Sequence, residues 1–237
     1  MAVQLTTNGD TLSNVTDTSF FLPSTAPQTI SVWINALWDG LTKTSSYVGM
    51  YNGAGATAAI QIGSRVAQGQ CDIWSWGGTI IVSSTGITIP SSAWANITYT
   101  FDGSTARLYI NGTLNNSVAY APLAINFNQV YINGFTGGAT SETATFQVDT
   151  YEYFARALSA SEVQTIYGTQ GNRHGIVYQE LLRYEFDEGA VGSNVAAIYN
   201  QSGQVGTASN NLVSNSARTP TVTFIPAFVS HNLRPPV

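Results

Sequence analysis

Two tight-turn signals lie close together in FDGSTARLYINGTLNNS, residues 101–117, and they constrain the fold more than any other stretch. Asp102-Gly103 and Asn111-Gly112 are dipeptides that tolerate positive backbone dihedrals, and each is flanked by residues that favour extended strands. Two reversals in succession make a meander. Upstream, ANITYTF at 95–101 places Ile97, Tyr99 and Phe101 on one face and Asn96, Thr98 and Thr100 on the other. Period two marks a half-buried strand. After the first turn, Leu108 and Ile110 point one way, Arg107 and Tyr109 the other.

The chain can bury what such strands present: 237 residues, 43% hydrophobic and 11% aromatic, supply the core of one large sandwich or two small domains. Only 9% of residues are charged, so Ser, Thr, Asn and Gln carry the solvation usually done by ions. A net charge of -5, with no basic cluster, argues against a nucleic-acid partner. Cys71 is the single cysteine and cannot form an intramolecular disulfide. MAVQLTTNGDTLSN has neither the basic nor the apolar region of a signal peptide, and no run approaches the roughly 20 apolar residues of a membrane span. The expectation is a protein that is not exported through a signal peptide and has no membrane partner.

Further strands are expected at 19–23, 28–38, 45–52, 58–63, 71–76, 78–84 and 128–134, each bounded by Gly, Asn, Pro or Ser. Regularly spaced short strands predict a two-sheet antiparallel sandwich. One helix interrupts them at ALSASEVQTIYG: Ser159 caps it, Glu162 closes a capping box, Leu158 and Val163 form a hydrophobic staple, and Gly168 ends it.

With TISVWI at 29–34, WANITYTFDGSTARLYINGTL at 94–114, VYINGF at 130–135 and FQVDTYEYFARALSASEVQTIY at 146–167 in this order, the chain resembles the laminin G-like, or concanavalin A-like, jelly rolls over about residues 12–168. The resemblance implies an all-β jelly-roll sandwich with one short helix. Members open with a strand reading roughly aromatic-x-Phe-Asp-Glu-Gly followed by a Ser-Gly turn, and this chain starts downstream of that element. A matching piece occurs late, where Tyr184, Phe186, Asp187, Glu188, Gly189 and the Ser202-Gly203 turn lie within 181–207. Three arrangements stay open: a circular permutation within one chain, a strand exchanged between protomers, and the start of a truncated second repeat. The expected organisation is a jelly roll over 1–207, with 181–207 supplying the permuted or swapped strand, and a C-terminal arm at 208–237. In that arm Val222, Phe224, Phe228 and Val229 are candidate interface residues, because an apolar segment needs a surface to cover it.

Chemistry is sparse. The glucanases of the resembled family present paired carboxylates on one strand, and here Asp149 and Glu152, three apart, are expected on opposite faces of an extended strand. His174 and His231 lie far apart in connectors, so no catalytic residue is assigned. No cofactor is expected; Asp102 and Asp149 are weak calcium candidates, calcium requiring six to eight oxygen ligands. Aromatic rings are the best ligand-like feature: Trp74 and Trp76, two apart on one strand, and Tyr51 at the end of another are candidate glycan-stacking groups. Core packing and protein interfaces use the same residues. The reading that accommodates the composition and the arm together is a non-enzymatic structural or capsid-decoration protein of a virus particle, bacteriophage above all. It would assemble in the host cytoplasm with other virion proteins and with copies of itself. A glycan-binding, adhesin-like module on a particle or cell is the alternative, and a glycoside hydrolase the weaker one.

Overall fold

Alternating apolar and polar side chains build two sheets that share one core. The computed structural model describes residues 2–5, 12–14, 21–37, 45–52, 59–67, 69–75, 79–86, 88–134, 144–169, 180–184, 197–198, 212–214 and 221–223, and from 180 onward the description is of the backbone. The strands are β1 (Ala2–Leu5), β2 (Leu12–Asn14), β3 (Gln28–Ala36), β4 (Ser45–Tyr51), β5 (Ala59–Ser64), β6 (Asp72–Ser75), β7 (Ile80–Ser83) and β8 (Trp94–Phe101). They continue as β9 (Thr105–Ile110), β10 (Thr113–Ala119), β11 (Gln129–Ile132) and β12 (Phe146–Phe154). After the helix α1 (Ala160–Thr169) come β13 (Glu180–Tyr184), β14 (Ala197–Ile198), β15 (Leu212–Ser214) and β16 (Thr221–Thr223). No helix among the described residues is long and apolar enough to cross a membrane.

The first sheet runs β10-β9-β8-β3-β12-β1-β16, and the second β14-β15-β2-β11-β4-β5-β6-β7, with antiparallel ladders throughout. β12 is shared more widely than an ordinary strand. β3 follows one of its edges from Phe146 to Phe154, while β1 takes Phe146–Val148 and β13 takes Tyr151–Phe154 of the other. The late segment at Glu180–Tyr184 thus lies beside β12 of its own chain; Phe186–Gly189 and the Ser202-Gly203 turn fall outside the described residues. Within 208–237, β15 pairs with β2 and β16 with β1, which puts Val222 opposite Val3 in register. Phe224, Phe228 and Val229 lie outside the described residues.

Between the sheets pack Ile30, Val32 and Ile34 of β3, Ile97, Tyr99 and Phe101 of β8, Val48 and Met50 of β4, Ile60 and Ile62 of β5, and Val130 and Ile132 of β11. Each such side chain stabilises the fold by about 1.5–3 kcal/mol when fully buried. The turns between β8, β9 and β10 take the expected forms, with φ of 100° at Gly103, 50° at Asn111 and 76° at Gly112.

The outer face of the first sheet is covered by α1. Leu158, Val163 and Ile166 pack on Tyr109 and Phe154, and the Tyr167 ring stacks on Trp33 with centroids 5.5 Å apart. The capping box is present: the Glu162 N–H donates to Ser159 Oγ, and the Ser159 N–H donates to Glu162 Oε2 at 2.8 Å. Gly168 does not end the helix, which continues to Thr169. Thr29 ties the helix entry to β3, its hydroxyl donating to the Arg156 carbonyl at 2.8 Å and accepting from the Leu158 N–H at 2.9 Å.

At the opposite side a register shift in β10 between Leu114 and Asn116 brings two carboxamides onto the second sheet. Asn116 Nδ2 donates to the Ser83 carbonyl at 2.7 Å, and the Thr85 N–H donates to Asn115 Oδ1 at 2.9 Å. The edges β10 and β7 are latched together by side chains rather than by a ladder.

Candidate functional site

Where β4 and β11 end side by side, the wall of the sandwich opens into a cleft of about 440 Å³ lined by Phe21, Asn52, Asn126, Phe127 and Asn128. Its volume falls within the roughly 300–1,000 Å³ of small-molecule sites. The geometry follows from the chain. Gln129 pairs with Tyr51 at the last rung, and the Asn128 N–H donates to the Tyr51 carbonyl at 2.8 Å, so Asn52 and Asn128 leave the sheet at the same end. Asn126 forms an isolated bridge with Pro23.

Two walls are clamped. The Ser24 N–H donates to the Ile125 carbonyl at 2.7 Å, the Ile125 N–H donates back to Ser24 Oγ at 3.0 Å, and that hydroxyl donates to the Leu123 carbonyl. Phe21 leans on Tyr153, centroids 6.1 Å apart, and the Tyr153 hydroxyl accepts the Leu22 N–H at 3.2 Å. Burial pushes that phenol well above its ordinary pKa, so it stays neutral. Phe21 and Phe127 form an apolar floor, and the Asn52 and Asn126 carboxamides hydrogen-bond to no described residue. A carboxamide offers two donors and an acceptor, and none of the five lining residues ionises near neutral pH. The cleft can therefore bind by hydrogen bonds and apolar contact; its described lining residues include no group to exchange a proton with a substrate.

The aromatic residues singled out from the sequence lie elsewhere. Trp74 belongs to a row across the outer face of the second sheet, Tyr131–Gly49–Gln61–Trp74, set by the registers of β11, β4, β5 and β6. It has no exposed surface, its ring packs where a Cβ on Gly63 would stand, and the Arg65 guanidinium lies over it 5.9 Å from the centroid. Tyr51 is equally buried: its ring covers Gly49, meets Tyr131 edge-on at 5.3 Å, and its hydroxyl donates to the Gly134 carbonyl at 3.2 Å. With both residues fully buried, neither ring presents a face on which a sugar can stack. Trp76 lies outside the described residues.

The acidic candidates are also engaged. Asp102 Oδ1 accepts from the N–H groups of Ser104 and Thr105, and Oδ2 pairs with Arg107 at 2.6 Å, so the guanidinium and those donors hold its carboxyl well below the usual range. Asp149 is buried and accepts the Thr150 hydroxyl. Among the described residues no group of three or more His, Cys, Asp or Glu side chains could hold a metal ion. The face assignment of Asp149 and Glu152 needs correction. A register shift between Val148 and Tyr151 turns both of those residues to the core although they are three apart, so strict alternation does not separate Asp149 from Glu152. Both carboxylates are nevertheless almost wholly buried, and neither lines the cleft. His174 and His231 lie outside the described residues. The cleft residues were missed because Asn52 and Asn126 are far apart in sequence; the signal was the amide pair around an aromatic in Asn126-Phe127-Asn128, at the start of a strand.

A family model described as the concanavalin A-like lectin/glucanases superfamily matches residues 7–164. The chain belongs to this superfamily. Solved structures agree on the fold. A Bacteroides ovatus protein put forward as carbohydrate-binding superposes with a TM-score of 0.64 at 15% identity, over 95% of this chain and 60% of its own. The binding domain of Paraclostridial Mosquitocidal Protein 1 gives 0.53 at 19%, over 71% and 43%. The heptameric pentraxin of Limulus polyphemus gives 0.53 at 12%, over 90% and 89%. The chain thus spans less than two thirds of each of the first two structures, 60% and 43% of their length. No curated protein matches it in sequence. A superfamily named for both lectins and glucanases carries binding and hydrolysis on one scaffold, so the site must decide between them.

Proposed function

We propose that the chain is a non-catalytic carbohydrate-binding module whose ligand occupies the cleft between Phe21, Asn52, Asn126 and Phe127. The observation that carries this reading is a preformed cleft in which the Asn52 and Asn126 carboxamides, hydrogen-bonded to no described residue, stand over an apolar floor, with no ionisable side chain among the described lining residues. Sugars present hydroxyl pairs that amides can satisfy and C–H faces that aromatic edges can meet. The superfamily and the Bacteroides ovatus relative support the same class of ligand. Hydrolysis would need two opposed carboxyl groups at the ligand, and the described lining residues supply none.

A glycan array followed by titration calorimetry tests the proposal. The protein is expected to bind a subset of glycans, with Asn126→Ala weakening binding about five- to tenfold, as the loss of one net hydrogen bond of about 1 kcal/mol or slightly more implies. Incubation with polysaccharides should release no reducing ends above blank. Turnover abolished by changing one carboxylate would replace this reading with an enzymatic one. A structural or capsid-decoration role in a virus particle, acting through protein–protein assembly, is a separate proposal that rests on the low charge and the apolar segment 221–229. Imaging of purified native assemblies tests it.

A further inference from the structure

The cleft's electrostatics narrow its ligand class, on the reading that it binds carbohydrate. We infer that it selects neutral saccharides, engaging adjacent hydroxyls through the Asn52 and Asn126 carboxamides, without a bound cation and against acidic sugars.

Three observations converge. The first is the described lining: three carboxamides and two phenylalanines, among which there is neither a cation to meet a sugar carboxylate nor a carboxylate to hold calcium. The second is where the cations are. Among the arginines whose side chains are described, Arg107 pairs with Asp102 at 2.6 Å, Arg156 pairs with Glu162 at 2.6 Å, and Arg65 lies over Trp74. None of these lines the cleft, so against its described residues an acidic sugar would surrender its hydration with only neutral amides in exchange. The chain's net charge of -5 adds a long-range repulsion of the same sign. The third is that the described residues hold no cluster of acidic ligands. Calcium takes six to eight oxygens, usually several of them carboxylate, whereas Asp102 is consumed by its turn and by Arg107, and Asp149 is buried away from the cleft lining. A carboxamide, by contrast, gives and accepts at once, which suits a pair of hydroxyls that are each donor and acceptor. The clamped Ser24–Ile125 wall holds Asn126 in place before the ligand arrives, reducing the ordering cost of binding.

The experiment uses the full chain and matched oligosaccharides that share a neutral core, with and without terminal sialic acid. Each is titrated in calcium and again in EDTA. The expected result is binding of the neutral form, weakening by about tenfold or more on sialylation, and no change with EDTA. Asn52→Ala and Asn126→Ala should each weaken the neutral ligand while leaving the β-type circular dichroism spectrum intact. Sialylated ligand bound as well as its neutral core, or binding abolished by EDTA, would overturn this inference and leave the carbohydrate-binding reading standing. Unaltered affinity in both alanine variants would also overturn it, by moving the site elsewhere. Absence of binding across the whole array would remove the carbohydrate reading and this inference together.

Discussion

Gly49 and Gly63 let aromatic rings lie against the second sheet, because the space a side chain would fill is where the Tyr51 and Trp74 rings stand. A methyl group on Gly63 would also collide with the Ser45 carbonyl, which is backbone and cannot swing aside. Gly63→Ala is therefore expected to cost about 1–3 kcal/mol, measured by urea unfolding. An unchanged midpoint would mean that the β4–β5 contact relaxes freely. Charge at single residues gives a second test. Glu162 is held down to about 2 from 4.5, chiefly by its hydrogen bonds to Arg156, then by the Ser159 N–H and hydroxyl, with burial opposing. A depressed carboxylate stabilises the fold fully above its unfolded pKa and loses that contribution as pH falls through the folded one. The wild type should thus lose stability between about pH 4.5 and 2 by a small amount, since the pair is about one-third exposed. Glu162→Gln should remove that part of the acid dependence in thermal melts; an identical slope in the variant would contradict it.

Among the elements, those governed by local pattern were legible in sequence. The alternation of Ile97, Tyr99 and Phe101 against Asn96, Thr98 and Thr100 is the alternation found in β8, and Ser159 with Glu162 caps α1. Positive φ at Gly103, Asn111 and Gly112 needs only the turn residues themselves. The illegible part is what depends on neighbours in space. Trp74 reads as an available ring until β5 places Gly63 beside it, and the spacing of Asp149 and Glu152 reads as opposite faces until a bulge interrupts β12. Asn52 and Asn126 come to line one cleft only through the β4–β11 pairing. The β10 latch is another such feature, and it can be probed. Asn116→Ala removes the donor to the Ser83 carbonyl and the acceptor of the Ser117 N–H. About 0.5–1.5 kcal/mol should be lost, with faster amide exchange confined to β7 and β10. Faster exchange throughout both sheets would instead show the latch to be part of the global fold.

For the whole molecule, the segment beyond 208 matters to both sheets. β15 flanks β2 and β16 flanks β1, so removing residues 208–237 exposes a strand edge in each sheet. The deletion is expected to lower the melting temperature and increase aggregation on light scattering. A shortened chain that melts at the same temperature and stays dispersed would show that these ladders contribute nothing. β1 and β2 hold interior positions, each with an early partner on one side and a late one on the other: β12 and β16 around β1, β11 and β15 around β2. During synthesis, then, β1 and β2, made ahead of the other described strands, must wait. While the ribosome is still producing the segment beyond 208, β1 and β2 can pair on one side only, each with an open edge. Completion of the sandwich is thereby deferred until residue 223 has emerged, and nascent chains halted before residue 208 should engage holding chaperones far longer than chains halted with residue 223 outside the exit tunnel.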